Sequence, residues 1–355
     1  MTATLPSNSS TTPARSGGDL DAVDLDAIDP TVPAEPVNVA EFGFEGRFED
    51  WTADTRWFEY TKAADPVGLG YTPKVPAERF GPELWQGGRT RITPLDLSEP
   101  LGITSGPATS PGLVANFVSI RAGDNVHTEV NATSQLYYVM TGRGFAVVNS
   151  SLIRWQKGDF ITLPASSPAT FHAEDDAAMY WVHDEPLLRY LGADATKPRF
   201  RPTVFPRSRA VEELTKVAEA DGASAKNRVS VLLANAEEEQ TLTITHTLWA
   251  MFGLLPDDQV QKPHRHQSVA LDLILDCEAG CYTLLGRELD ENGEVKNPTR
   301  VDWEPGGAFV TPPGLWHSHH NESGRDAHLI PVQDAGLQTY LRSHDIRFQR
   351  FGNHS

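Results

Sequence analysis

Two histidines one residue apart, His264 and His266, and a third at His317 constrain this chain more than any other feature. In a β-strand the side chains at i and i+2 leave the same face, so His264 and His266 can aim two imidazoles at one point inside a barrel. A third imidazole from a distant strand completes a face of ligands, and His317 is placed to supply it. The segment leading to it reads G-x5-P-x-G-x2-H-x3-N, through Gly306, Pro312, Gly314, His317 and Asn321, with every position filled. The competing reading of His317, His319 and His320 is a polar loop. Two separate histidine motifs at matching spacing favour a metal.

The surrounding text is strand-like. Short apolar runs at 113–119, 136–140, 144–148, 159–163 and 178–183, separated by Gly, Asn and Ser turns, suit a jelly-roll barrel. A second set at 242–255, 270–276, 281–287, 308–311 and 327–332 predicts another, with Asp290-Glu291-Asn292-Gly293 as turn chemistry. At 355 residues the chain has room for both cores. The expected fold class is mainly all-β, two jelly-roll barrels with a few short helices.

Around the barrels the composition changes. Residues 1–45 are rich in Ser, Thr, Pro and Asp and are expected to form a mobile acidic tail. Residues 46–112 form an irregular arm carrying Trp51, Trp57, Phe58, Tyr60, Tyr71, Phe80 and Trp85, read either as a flap over a site or as packing against a barrel or another subunit. The N-terminal barrel is placed at 113–200, a linker at 201–240 and the C-terminal barrel at 241–355. The linker contains a helix at 209–218, with Ser208 as N-cap and Val211, Leu214, Val217 and Ala218 on one face. A short helix is expected at 336–342.

Charge and cysteine content narrow the function classes. With 30 basic and 48 acidic residues the formal charge is −18, which disfavours a phosphate-binding surface, so no nucleic-acid partner is expected. Two cysteines, Cys277 and Cys281, rule out a disulfide framework and point to a reducing, cytoplasmic setting. No apolar run is long enough for a membrane span and no signal core is visible, so no membrane partner is expected.

The string from Gly306 to Asn321 resembles the second motif of the cupin superfamily, and His264-x-His266 resembles the first. Over 113–345 the chain resembles the bicupin ring-cleaving dioxygenases that act on gentisate, salicylate and 1-hydroxy-2-naphthoate, most specifically in HRHQSVALDLIL, CYTLLG and FVTPPGLWHSHHN. The resemblance implies one Fe(II) per chain held by His264, His266 and His317. It also implies O2 as co-substrate, a small aromatic substrate, and a homodimer or homotetramer. His319, two positions beyond the third ligand, matches a family histidine assigned to acid–base steps.

Several positions depart from that pattern. In the N-terminal barrel the first motif, counted from Gly123, places Glu129, Asn131 and Gln135 where two His and a Glu belong. Ala169 replaces the histidine of its second motif. His127, Glu129 and His172 remain as potential ligands there, but a metal-free barrel is the expectation. The stretches SQLYYVMTGRG and HDEPLLRYLG resemble the family's metal-poor second barrel, so the barrel order is swapped. In the C-terminal barrel Ala270 stands at the usual Glu ligand position and Cys277 at the motif glycine. Asp272 stands where the family places an Arg that grips the substrate carboxylate.

Strand alternation turns Asp272 toward the pocket, where a carboxylate needs a cation, a donor, the metal or solvent. It is read as catalytic or as binding an amino or hydroxyl substituent of a ring that lacks a carboxylate. A displaced metal ligand, or a salt bridge with Arg265 or Arg287, are the other readings. Trp249 and Trp316 are expected to line the pocket and stack on the ring. Imidazoles alone do not choose among Fe, Zn, Cu and Ni. The expected function is Fe(II)-dependent, O2-dependent cleavage of a hydroxylated aromatic or related small ring. The alternatives are another metal-dependent cupin isomerase, lyase or oxidase, or a non-catalytic small-molecule-binding bicupin.

Overall fold

The computed structural model describes residues 51–222 and 228–349. It divides into two units, Met1–Glu59 and Tyr60–Ser355. The acidic tail expected at 1–45 lies outside the described residues. In the first unit Trp51 and Trp57 are exposed.

The second unit contains four antiparallel sheets that make two barrels. In the N-terminal barrel a six-stranded sheet runs in the order Thr203–Phe205, Phe160–Pro164, Ser134–Thr141, Ala177–His183, Val114–Ile120, Arg91–Pro94. It faces a four-stranded sheet of Asn125–Thr128, Ala169–Ala173, Arg143–Val148 and Ser151–Gln156. The C-terminal barrel pairs a six-stranded sheet, ordered Arg79–Phe80, Ala308–Thr311, Ala270–Asp276, Ala327–Gln333, Trp249–Leu255, Val229–Leu233, with a five-stranded one. The latter is ordered Thr299–Asp302, Cys281–Gly286, Trp316–Asn321, Gln259–His266, Ile346–Phe348. The two barrels expected from the strand spacing are the observed architecture.

Alternation along the strands explains three separate cores. The outer faces of the two six-stranded sheets pack on each other, with Leu136, Tyr138 and Phe160 of one against Phe252, Leu271 and Ile330 of the other. The N-terminal barrel interior is filled by Tyr137, Phe171, Met179, Trp181 and smaller apolar groups. Tyr137 stacks on Trp181 at 5.3 Å and packs on Phe171 at 4.7 Å. In the C-terminal barrel the apolar residues, among them Leu255, Ile274, Phe309 and Leu329, occupy only part of the interior. The rest is polar and holds the histidines.

Sequence expectations fail where long-range pairing decides. The 201–240 segment contributes Thr203–Phe205 to one barrel and Val229–Leu233 to the other. Its helix is Arg207–Glu219, capped by Pro206 rather than Ser208, and buries Ala210 and Leu214 while Val211 stays at the surface. The arm is likewise shared, because Arg79–Phe80 pairs with the C-terminal barrel and Arg91–Pro94 with the N-terminal one. Between them the Trp85 indole donates to the Gly306 carbonyl at 2.8 Å, and the Trp85 carbonyl accepts from the Ser119 hydroxyl at 2.9 Å. Gly306 sits at φ +78°, and a Cβ there would lie 2.8 Å from the Trp85 ring, so the motif glycine serves both the turn and this contact.

Candidate metal centre

The two histidine motifs lie side by side because their strands are neighbours. Gln259–His266 pairs with Trp316–Asn321, with His264 directly opposite His317. The P-x-G turn closes onto the same strand, as the Gly314 amide donates to the His266 carbonyl at 2.8 Å. All four imidazoles of His264, His266, His317 and His319 are buried. Ring centroids are 4.1 Å apart for His264 and His317, 4.9 Å for His266 and His317, and 5.7 Å for His317 and His319.

Hydrogen bonds on the far side of each ring decide what it offers the centre. Nδ1 of His264 lies 3.1 Å from the Lys262 carbonyl, Nδ1 of His266 2.8 Å from the Ser268 carbonyl, and Nδ1 of His317 3.1 Å from the Leu315 carbonyl. A carbonyl only accepts, so in each neutral ring Nδ1 carries the hydrogen and Nε2 presents a lone pair. Two donors already face that lone pair on His264, the Arg228 guanidinium at 3.4 Å and the Gln261 amide at 3.5 Å. Nε2 of His266 is buried and has no partner. Ser268 also lies 3.0 Å from Nδ1 of His266 and donates to Gln333 at 2.8 Å, which fixes the ring further.

His319 differs. Its Nδ1 is 2.7 Å from the Thr283 hydroxyl, which accepts the Trp303 indole N–H at 2.8 Å. Thr283 is thereby left with its own hydroxyl hydrogen to give, and giving it to Nδ1 puts the ring proton on Nε2, facing the centre. Nitrogen spacing alone groups His264, His317 and His319, with one nitrogen of each within 4.8 Å of the others. The hydrogen bonds group His264, His266 and His317 as lone-pair donors and set His319 apart. A ring rotation changes a nitrogen–nitrogen distance more easily than it replaces a carbonyl partner, so the hydrogen bonds define the lone-pair set.

Burial is the first cause of every shift in the cluster. It holds His264, His317 and His319 well below the ordinary imidazole range and brings His266 down to about 4, so all four are neutral near pH 7. Neutral imidazoles whose Nδ1 hydrogens go to carbonyls leave an Nε2 lone pair, the form that ligates a divalent metal, so the donor set fits one.

A cation missed by sequence reading completes the site. Arg228 opens the strand Val229–Leu233, is half-buried by exposure, and lies between Met251, whose sulfur is 3.3 Å away, and His264. Burial lowers its pKa to about 10, against the pull of Asp272, so it remains charged. Asp272 does turn inward and is buried, as alternation predicts. It accepts from the Thr311 hydroxyl at 2.8 Å, and burial raises it to about 6 in spite of Thr311 and Arg228. The cation whose charge pulls it down is Arg228, rather than Arg265 or Arg287. The sequence signal for Arg228 was slight: one basic residue heading a β-branched run, inside a segment read as linker.

The two tryptophans separate. Trp249 lies on the inner face of its strand, opposite to Ala250 and Phe252, which face the inter-barrel core. Its indole N–H is buried without a partner. Trp316 departs from expectation, because alternation with His317 and His319 sends it to the outer face. There the Arg265 guanidinium lies 5.4 Å from its ring, and it lines a surface cavity of about 1160 Å³ with Ile346 and Phe348. In the N-terminal barrel, His127 and Glu129 are exposed and 3.6 Å apart, while His172 stacks on Phe145. Those three do not converge. The interior there is occupied by aromatic rings instead.

No family model matches the chain. Its structure is similar to salicylate 1,2-dioxygenase from Pseudaminobacter salicylatoxidans, with a TM-score of 0.63 and 15% identity over 89% of this chain and 99% of that one. The same enzyme with gentisate bound gives 0.61 and 15%, over 93% and 99%. In sequence, 95 residues are 32% identical to 5-nitrosalicylic acid 1,2-dioxygenase of Bradyrhizobium sp, and 91 residues are 31% identical to 5-aminosalicylate 1,2-dioxygenase of Comamonas sp. These matches take in 26% and 25% of this chain, and 46% and 24% of the two relatives, so the chain spans about half or less of the curated relatives it matches. Taken with the paired barrels, they show that the chain has the two-barrel fold of salicylate 1,2-dioxygenase.

Proposed function

We propose that this protein is an Fe(II)-dependent dioxygenase that opens the ring of a hydroxylated aromatic carboxylate of the salicylate type. The observation that carries the reading is the convergence, in one barrel, of three buried neutral imidazoles whose Nδ1 atoms face carbonyls, with a half-buried guanidinium 3.4 Å from Nε2 of one of them. The local similarity to two salicylate 1,2-dioxygenases supports the same substrate class.

His264, His266 and His317 would hold the iron. What iron supplies when bound is a Lewis acid that brings the substrate oxygens and O2 together and exchanges electrons between them. Both oxygen atoms enter the product, so no external reductant is consumed. Arg228 binds the substrate carboxylate through a charge-assisted pair. Asp272 holds that guanidinium in place and balances its charge when substrate is absent, rather than contacting the ring. His319 presents an Nε2–H that donates a hydrogen bond to the substrate hydroxyl oxygen and stabilises negative charge developing there, with Thr283 and Trp303 fixing its orientation. The aromatic face of Trp249 forms one wall for the ring.

The test is anaerobic loading with Fe(II), measurement of metal per chain, and O2 uptake with salicylate, 5-nitrosalicylate, 5-aminosalicylate, gentisate and 2-aminophenol. Uptake with ring-opened products from the carboxylated rings is expected, and His266→Ala should lose most of the iron. Full iron occupancy with no O2 uptake on any of these rings would overturn the reading.

A further inference from the structure

Three buried nitrogen-bearing side chains near the imidazole cluster have polar atoms without partners: Nε2 of His266, Nε1 of Trp249, and both ring nitrogens of His344. Buried polar groups seldom go unpaired, and several together call for a ligand. The first is explained by a metal. The other two are not.

His344 arrives from the end of the described chain. After the helix Ala335–Tyr340 its amide donates to the Gln338 carbonyl at 3.3 Å, and the next strand, Ile346–Phe348, lies along Gln259–His266 with Ile346 opposite His266. Asp334 anchors the helix to the barrel by accepting from the Val269 amide at 3.0 Å and the Gln338 side chain at 3.1 Å. The segment is thus tied at both ends, and the His344 ring meets Trp249 edge to face, centroids 5.4 Å apart.

We propose that His344 is a specificity-determining residue, and that its ring and the Trp249 indole N–H together receive an oxygen-bearing substituent on the substrate ring, a nitro or hydroxyl group. The proposal rests on the dioxygenase reading of the same barrel. Trp249 can only donate, whereas a neutral His344 offers one donor and one acceptor in either tautomer. Two donors match the two oxygens of a nitro group. A hydroxyl takes the indole hydrogen and gives its own to the imidazole. An amino substituent uses only the acceptor and leaves the indole N–H unpaired, so it ranks below the other two.

The experiment compares wild type with His344→Phe, which keeps the ring and loses the hydrogen bonds, and with His344→Gln, which keeps a donor and an acceptor. Fe(II)-loaded proteins are assayed for kcat/KM on salicylate, 5-nitrosalicylate and gentisate, and dissociation constants for the same three compounds are measured by calorimetry under nitrogen. His344→Phe is expected to weaken binding and kcat/KM for 5-nitrosalicylate and gentisate by roughly ten- to a hundred-fold while salicylate changes less than about three-fold. His344→Gln should recover part of that difference, and Trp249→Phe should show the same bias. Equal effects on all three compounds, or none, would overturn the proposal. The binding measurement decides it even if wild type consumes no O2, and that second result would count against the dioxygenase reading alone.

Discussion

Replacing Arg228 by methionine keeps most of the side-chain length and its contact with Met251 but removes the half-buried charge that acts on Asp272. Two costs follow, and they separate. In the proposed reaction the substrate carboxylate loses a charge-assisted partner, and truncating one member of such a pair costs about 2–5 kcal/mol. At about 1.4 kcal/mol per factor of ten, kcat/KM for salicylate should fall by roughly 30- to 3,000-fold. A ring with no carboxylate, such as catechol, makes no use of the guanidinium and should change by less than about three-fold. The second cost is structural, since Asp272 keeps only the Thr311 hydroxyl, 2.8 Å away, as its partner. Its carboxyl, already raised to about 6 by burial, rises further. The double variant Arg228→Met/Asp272→Asn removes that second cost, so its urea midpoint should recover relative to Arg228→Met while salicylate remains a poor substrate. Steady-state O2 uptake on both rings, at matched iron content, is the assay. An equal fall on salicylate and catechol, or recovery of salicylate turnover in the double variant, would refute a carboxylate-binding role.

Two further predictions concern the frame that holds the site. His183 is buried at the mouth of the N-terminal barrel against Trp181, and burial pulls its pKa down to about 3 from 6.5. A depressed histidine adds nothing above pH 6.5 and costs stability as pH falls, because only the unfolded chain takes up the proton. Between pH 7.5 and 5 this costs about 2 kcal/mol, a loss that His183→Leu should escape in urea titrations at the two pH values; parallel pH dependence in both proteins would contradict it. Asp184, fully buried, accepts the Thr133 and Ser134 amides at 2.8 and 3.1 Å, the Thr133 hydroxyl, and the Thr247 hydroxyl at 3.0 Å, so it ties the end of one barrel to the entry of the other. Thr247→Val should cost about 1.5–3 kcal/mol in equilibrium unfolding, the range for one hydrogen bond to a buried charge, and a loss below about 0.5 kcal/mol would remove Asp184 as a tie between barrels.

The His264-x-His266 pair and the string from Gly306 to Asn321 were legible because each is local: alternation within one strand aims the imidazoles, and a glycine turn shapes the approach. The same alternation brought Asp272 inward correctly. Applied to Trp316 it would have excluded that residue from the pocket, since a neighbour of an inward histidine must face outward. Arg228 and His344 carried no comparable signal. One heads a strand inside an apparent linker, the other follows the last helix, and neither is near the motif in sequence.

The amino-acid sequence by itself determined the two-barrel fold, through the period of its strands, and singled out the histidines that the structure gathers in one barrel, through the spacing of two motifs. Only the tertiary structure decided which cation's charge acts on Asp272, which hydrogen-bond partner each histidine has, and that His344 meets Trp249. Those depend on antiparallel pairings between segments tens of residues apart and on buried partners such as the Ser268 and Leu315 carbonyls. Such contacts are fixed when sheets close on each other, and no local pattern of residues encodes them.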